Sequence, residues 1–249
     1  MSGSALSGRA AVVTGAGGGI GRALAVRAAR EGMALAICDV AAAGLAETAV
    51  LASARGADVV SAVVDVRRAD ALADFAAQVD GSIALLFANA GVLRPGAVSD
   101  QPVDALRLML EVNVIGVVQT LQAFLSRLKA QVEPSRIVIT GSQASFLPYP
   151  GLGGYCASKH ALAALAEALS AELAAEGAPV TVSLLAPGAV ATGIFGGETS
   201  PNLATSLSPD AVADTVFNAV RKGVRLISTH AGLAEKLDAR LADLKGQVG

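Results

Sequence analysis

The chain reads as an α/β protein built on a doubly wound parallel sheet, about seven strands with helices on both faces. Three observations predict this. Short apolar runs alternate with longer amphipathic segments. The runs are continuous, not alternating, as in strands buried on both faces. A glycine-rich turn over residues 14–21 joins the first run to the first helical segment.

The elements follow in order. Residues 10–13 form the first strand, and the glycine turn opens a helix over 19–30. A second strand over 34–38 ends at Asp39, before a helix over 42–55. The third strand, 59–64, precedes a helix over 69–79. The fourth, 83–88, leads to a long helix over 103–129 that contains Asn113. Strand 136–140 runs into Ser142, and the next helix spans 155–176. The sixth strand, 180–185, ends at Pro187 and Gly188, and a helix over 209–221 and a strand over 224–228 follow. Residues 193–208, rich in Gly, Ser and Thr, are expected to form a mobile lid. The final segment, about 231–246, carries Leu233, Leu237, Leu241 and Leu244 between charged residues, the pattern of an amphipathic helix. It either packs on its own domain or docks on a second subunit. No repeat or linker divides residues 1–249, so a single domain is expected.

Hydrophobic residues make up 53% of the 249 and charged residues 16%, enough apolar material for a substantial core. The net charge of −2, with no basic block, argues against a nucleic-acid partner. The most apolar stretches are short and broken by Pro187, Gly188 and Gly193, so no membrane span is expected. Residues 1–8 lack a basic region followed by an apolar run, so no signal peptide is expected either. Cys38 and Cys156 have no metal-ligand spacing and suggest no disulfide framework. A cytoplasmic protein without a metal is the expectation.

Tyr155 and Lys159 stand four residues apart and so share one helix face. A free phenol titrates near ~10, and a nearby cation lowers that value toward a usable proton shuttle. Cys156 points about 100° away around the helix and reads as packing. His160 reads as helix surface or interface, and His230 as a loop residue. In the glycine turn, Gly15, Gly17, Gly18, Gly19 and Gly21 let the backbone approach a pyrophosphate at a helix N-terminus, with Ile20 among them. The spacing is Thr-Gly-x-x-x-Gly-Ile-Gly, not Gly-x-Gly-x-x-Gly, and no P-loop lysine follows. Asp39 can accept hydrogen bonds from both ribose hydroxyls of an adenosine and would repel the extra phosphate of NADP. No Arg or Lys occupies positions 40–42, which favours NAD.

Together, residues 14–21, Asp65-Val66, Asn89-Ala90-Gly91, Asn113, Ser142, Tyr155-x-x-x-Lys159 and Pro187-Gly188 resemble the short-chain dehydrogenase/reductase family in order and spacing. The likeness covers roughly residues 8–230 and implies a Rossmann fold. It implies that Asp65 bonds the adenine amino group, with Val66 beside the ring. Asn89, Ala90 and Gly91 shape the cofactor floor. Pro187, Gly188, Val190 and Thr192 flank the nicotinamide and pyrophosphate. Tyr155 then exchanges the substrate proton, Lys159 lowers its pKa and holds the nicotinamide ribose, Ser142 holds the substrate oxygen, and Asn113 fixes a water that links Lys159 to solvent. Asparagine is a poor residue inside a helix, so Asn113 asks for a reason, of which a buried amide bonded to backbone is the plainer one.

The chain has only eight aromatic residues, six Phe and two Tyr. Phe146, Tyr149, Tyr155 and Phe195 fall in segments that should surround the substrate, with Gln143 as a polar contact. This pattern suggests a small-molecule substrate, a hydrophobic secondary alcohol or ketone. An NADP-dependent carbonyl reductase and a non-catalytic NAD-binding regulator on the same fold stay open as alternatives. The resemblance implies a homodimer or homotetramer, built on the long helices over 103–129 and 155–176. The ending differs from the family's common strand and Asp-Gly-Gly tail.

Overall fold

A computed structural model describes residues 6–195 and 206–248. A single sheet of seven parallel strands runs in the order β3-β2-β1-β4-β5-β6-β7. The strands are β1 (Ala10–Thr14), β2 (Ala34–Asp39), β3 (Val59–Val63), β4 (Ile83–Ala88), β5 (Ser135–Thr140), β6 (Val180–Ala186) and β7 (Leu226–Ser228). The helices are α1 (Gly19–Arg30), α2 (Ala42–Ser53), α3 (Ala69–Ala77), α4 (Val103–Leu110), α5 (Gly116–Ala130), α6 (Gly153–Ala175), α7 (Pro209–Arg221) and α8 (Leu233–Gln247).

Successive strand residues point to opposite faces, so each continuous run feeds two cores. Val13, Ile37, Phe87 and Leu185 pack on one face beneath α1 and α7. Val12, Cys38, Leu86 and Ile139 pack on the other against Phe75, Phe124 and Leu162, from α3, α5 and α6. Chain order reverses between β1 and β4. The loops after these two strands therefore leave in opposite directions and open a crevice at the strands' carboxyl ends.

Three elements differ from the sequence reading. The strand predicted over 224–228 begins only at Leu226, because the Val224 N–H closes the end of α7 on the Ala219 carbonyl. The helix predicted over 103–129 is interrupted by a π-helical turn at Glu111–Ile115, which carries the buried Asn113. The run Val103–Ala130 is also long and apolar enough, by length and composition, to cross a membrane, with an 18-residue window of mean hydropathy 1.5. Its Val117, Leu121, Phe124 and Leu128 are buried in the core beside the sheet. Finally, α8 buries only Leu233, while Leu241 and Leu244 are exposed. Leu237 is half-buried, so packing on the chain's own domain is strongest at the start of the helix.

Candidate active site

The crevice widens into a cleft of about 1480 Å³ along the carboxyl ends of the strands. The glycine turn forms one wall. Gly15 has φ +69°, and a Cβ there would lie 2.7 Å from the Ala90 Cα, so only glycine lets the β1 and β4 loops meet. A Cβ at Gly21 would lie 2.0 Å from the Gly15 carbonyl oxygen. Asn89 fixes this junction. Its amide donates to the Thr14 and Gly15 carbonyls at 3.1 and 3.2 Å, and its Oδ1 accepts from the Thr140 hydroxyl at 3.1 Å. Thr192 closes from the far end of the chain, its methyl group 3.0 Å from where a Gly19 Cβ would stand.

Helix α1 starts here with no side-chain cap and no acidic residue in its first turn. Its first N–H groups are thus left for an anion, and Gly18 presents open space. Asp39 lines the same end of the cleft and accepts from the Gly17 and Ala41 N–H groups at 2.7 and 2.8 Å. The nearby Arg22 is committed to Glu47 at 2.7 Å and to the Gly17 carbonyl at 2.8 Å. Asp65 lines the cleft too, gripped by Arg67 at 2.6 Å, which holds its carboxyl below the usual carboxylate range. Val66 is buried beside Gly116, where a Cβ would come within 2.6 Å of its methyl group.

At the other end Ser142, Tyr155 and Lys159 meet. Ser142 follows β5 and caps a short turn, accepting from the Ala144 N–H at 3.1 Å. Helix α6 begins two residues before Tyr155, which places the phenol at its buried start. Ser142 hydrogen-bonds that phenol. The Lys159 ammonium lies 5.7 Å from the centre of the Tyr155 ring and donates to the Thr140 carbonyl at 2.8 Å. Burial lifts Tyr155 to about 12 against the pull of Ser142, and pushes Lys159 down to about 8. Desolvation of the charged form is the main cause of each shift.

Asn113 does not line the cleft. Its side chain accepts from the Val92 N–H at 2.7 Å and donates to the Val92 carbonyl and the Ser158 hydroxyl, each at 2.9 Å. The amide clamps the Val92 loop to α6. Gly91 sits between, with its Cβ position 3.3 Å from the Asn113 Oδ1 and 3.5 Å from the Lys159 Nζ.

A model of the family described as short chain dehydrogenase matches residues 9–202. The chain belongs to the short-chain dehydrogenase/reductase family. It is 38% identical over 242 residues to 1-deoxy-11-beta-hydroxypentalenate dehydrogenase of Streptomyces avermitilis, covering 94% of this chain and 89% of the relative. A short-chain dehydrogenase/reductase from Burkholderia phymatum in complex with NAD superposes with a TM-score of 0.92 at 32% identity, over 98% of this chain and 96% of that one. An alcohol dehydrogenase from Thermococcus sibiricus, complexed with 5-hydroxy-NADP, superposes with a TM-score of 0.80 at 32% identity, over 88% and 94%.

Within this dehydrogenase cleft, Ala90, Gly91, Pro187, Gly188, Val190 and Thr192 line the wall between the two ends. Gln143 also lines it, with its N–H bonded to the Pro187 carbonyl at 2.9 Å. Of the four aromatic residues expected around the substrate, Tyr149 and Tyr155 line the cleft. Phe146 does not. It turns toward the sheet and lines a separate groove with Ala163, Val182 and Leu184. Phe195 ends a short turn at Gly193–Phe195; its side chain and residues 196–205 of the expected lid lie outside the described residues. Aliphatic side chains take the place of the aromatics, among them Leu93, Leu152 and Ile194. Sequence reasoning missed these, and it missed Arg94, His230 and Lys236, which also line the cleft. His230 lies two residues beyond β7, and its position past a strand's carboxyl end is the signal that could have found it.

Proposed function

We propose that this dehydrogenase transfers a hydride between NAD and a hydrophobic secondary alcohol or ketone. The observation that carries the reading is that Ser142, Tyr155 and Lys159 face the same cleft as the uncapped glycine turn and Asp39. A bound nicotinamide supplies the hydride acceptor for oxidation and the donor for reduction. In oxidation the Tyr155 phenolate takes the hydroxyl proton while the carbon-bound hydrogen leaves with its electron pair, and a carbonyl forms. In reduction Tyr155 returns that proton to the developing alkoxide. Among the described residues the Ser142 hydroxyl has only a long 3.5 Å contact, to the Pro187 carbonyl, as a protein acceptor besides the phenol, so its proton is free to hold the substrate oxygen. Lys159 opposes the burial of the phenolate, and the positive nicotinamide acts in the same direction. Asn113 is a positioning residue that acts through Val92 and Ser158.

Asp39 supports NAD over NADP, since Arg22, which bonds the Gly17 carbonyl, is already paired with Glu47. The relative from S. avermitilis, named a dehydrogenase of a hydroxylated compound, supports the reaction class. The apolar walls from Leu93, Leu152 and Ile194 support a hydrophobic substrate.

Tyr155→Phe tests the mechanism. It removes one proton donor from an otherwise intact wall. Turnover of a panel of secondary alcohols, followed by nicotinamide absorbance, should fall by roughly 10²–10⁴-fold. NAD affinity, followed by fluorescence titration, should change by less than about threefold, under 1 kcal/mol. Turnover retained in this variant sinks the reading, and loss of NAD binding together with turnover removes Tyr155 as its cause.

A further inference from the structure

His230 reaches the cleft from beyond β7, yet its ring is tied to the loop after β6. The Gly188 N–H donates to its Nδ1 at 3.1 Å, and the Thr229 hydroxyl lies 2.8 Å from the same nitrogen. A backbone N–H can only donate, so Nδ1 is an acceptor and the neutral ring carries its proton on Nε2. Nε2 is buried with no hydrogen-bond partner among the described residues. The polar contacts of the ring are therefore all made at Nδ1.

The chain keeps room for this contact. A Cβ at Gly188 would lie 2.9 Å from Nδ1 and 3.0 Å from the Cγ of the ring, so a side chain at 188 and the imidazole exclude each other. The segment that carries the ring is held as well. The Ser228 hydroxyl donates to the His230 carbonyl at 2.8 Å, and Leu233, at the start of α8, is buried.

The Gly188 N–H and the Pro187 carbonyl belong to one trans peptide unit, so they point to opposite sides of it. His230 holds the N–H side. On the carbonyl side, Pro187 accepts from the Gln143 N–H at 2.9 Å and faces the Ser142 hydroxyl at 3.5 Å. A good O–H···O bond is about 2.7–2.8 Å, so the contact with Ser142 is stretched. A carbonyl that moved closer would take the proton that Ser142 offers the substrate oxygen.

We propose that His230 is a positioning residue: by holding the Gly188 N–H it fixes the Pro187–Gly188 peptide and keeps the Pro187 carbonyl from capturing the Ser142 hydroxyl. The inference rests on the hydride-transfer reading and deepens it. It also gives the segment between β7 and α8 a part in the reaction, exerted through Ser142.

His230→Leu removes the acceptor, and His230→Asn returns one, because an asparagine Oδ1 stands close to the place of Nδ1. Each variant is measured with a secondary alcohol that the wild type oxidises. His230→Leu should lower kcat by about ten- to a hundredfold. Its NAD affinity, followed by fluorescence titration, should change by less than about threefold. His230→Asn should recover kcat to within about threefold of the wild type. The decisive measurement is made without the serine. In Ser142→Ala, adding His230→Leu should change the residual kcat by less than about twofold, since the group it acts through is gone. A wild-type kcat in His230→Leu, an asparagine variant as slow as the leucine one, or losses that multiply in the double variant would each overturn the inference. If His230→Leu does not fold, His230→Gln, whose amide oxygen lies one bond farther from the backbone, takes its place with the same expectations. A wild type that oxidises no secondary alcohol and reduces no ketone sinks the hydride-transfer reading and this inference with it. Turnover in the wild type that His230→Leu matches sinks the inference alone.

Discussion

Burial acts in opposite directions on the two titrating groups of the cleft, and this makes Lys159 a cost to the fold. Its folded value of about 8 lies below the ordinary 10.5, so at pH 7 the protein holds an ammonium that burial disfavours. Between about pH 8 and 10.5 the unfolded chain binds more protons than the folded one, and stability therefore rises with pH through that window. Tyr155, lifted to about 12, works the other way and takes stability away as pH climbs above its ordinary 10. Lys159→Met should therefore be inactive yet more stable at pH 7, by about 2 kcal/mol or roughly 4–8 °C in Tm. Its rise in stability between pH 8 and 10.5 should flatten, which calorimetry across that range checks. Asp39 belongs to the same scale. Asp39→Ser removes the charge that opposes a ribose phosphate but keeps an acceptor for the Gly17 N–H. The ratio of kcat/KM with NADP to that with NAD should rise by about tenfold or more, on the order of 1.4 kcal/mol. An unchanged ratio would show that Asp39 does not set the cofactor choice.

Among elements, the π-turn at Glu111–Ile115 decides where two others sit. It carries Asn113 into the interior, where one amide ties the Val92 loop to α6 through three hydrogen bonds. Asn113→Ala leaves the half-buried Val92 N–H and carbonyl, and the buried Ser158 hydroxyl, without that partner. The expected loss is about 2–3 kcal/mol of stability in denaturant titration. Because Lys159 lies one residue beyond Ser158 on α6, activity should fall more steeply than NAD affinity. A variant as stable as the wild type would refute the clamp. Helix α8 is the counterexample among the elements. Its heptad-like leucines promised a packed face, yet only Leu233 is buried and the element's contribution to the cleft is the polar Lys236.

Across the whole molecule, ligand binding and folding are linked because the cleft joins the loops after β1, β4, β5 and β6. A cofactor that binds this assembled cleft and not the unfolded chain stabilises it by mass action. NAD at a hundred times its Kd should add about 2.7 kcal/mol, or roughly 5–10 °C in Tm, for a domain of this size. NADP at the same concentration should shift Tm less, and thermal unfolding with each nucleotide measures the difference. An equal shift with the two nucleotides would count against the role given to Asp39.

The alternation of apolar runs with helical segments was enough to predict the sheet, because strands buried on both faces need continuous apolar sequence. The glycine turn, Asp39 and the Tyr155–Lys159 pair were legible for a local reason: each depends on neighbours within a few residues along one turn or helix. Tertiary structure decided the rest. Phe146 stands in the expected segment, but the direction of its side chain depends on how the turn after β5 meets α6. Arg94, His230 and Lys236 come from segments far apart in sequence and share a cleft only once the sheet brings its strand ends together. The protonation of the central pair was likewise beyond the sequence. Spacing placed a cation near a phenol, but the depth of burial, which raises Tyr155 and lowers Lys159, is set only by packing.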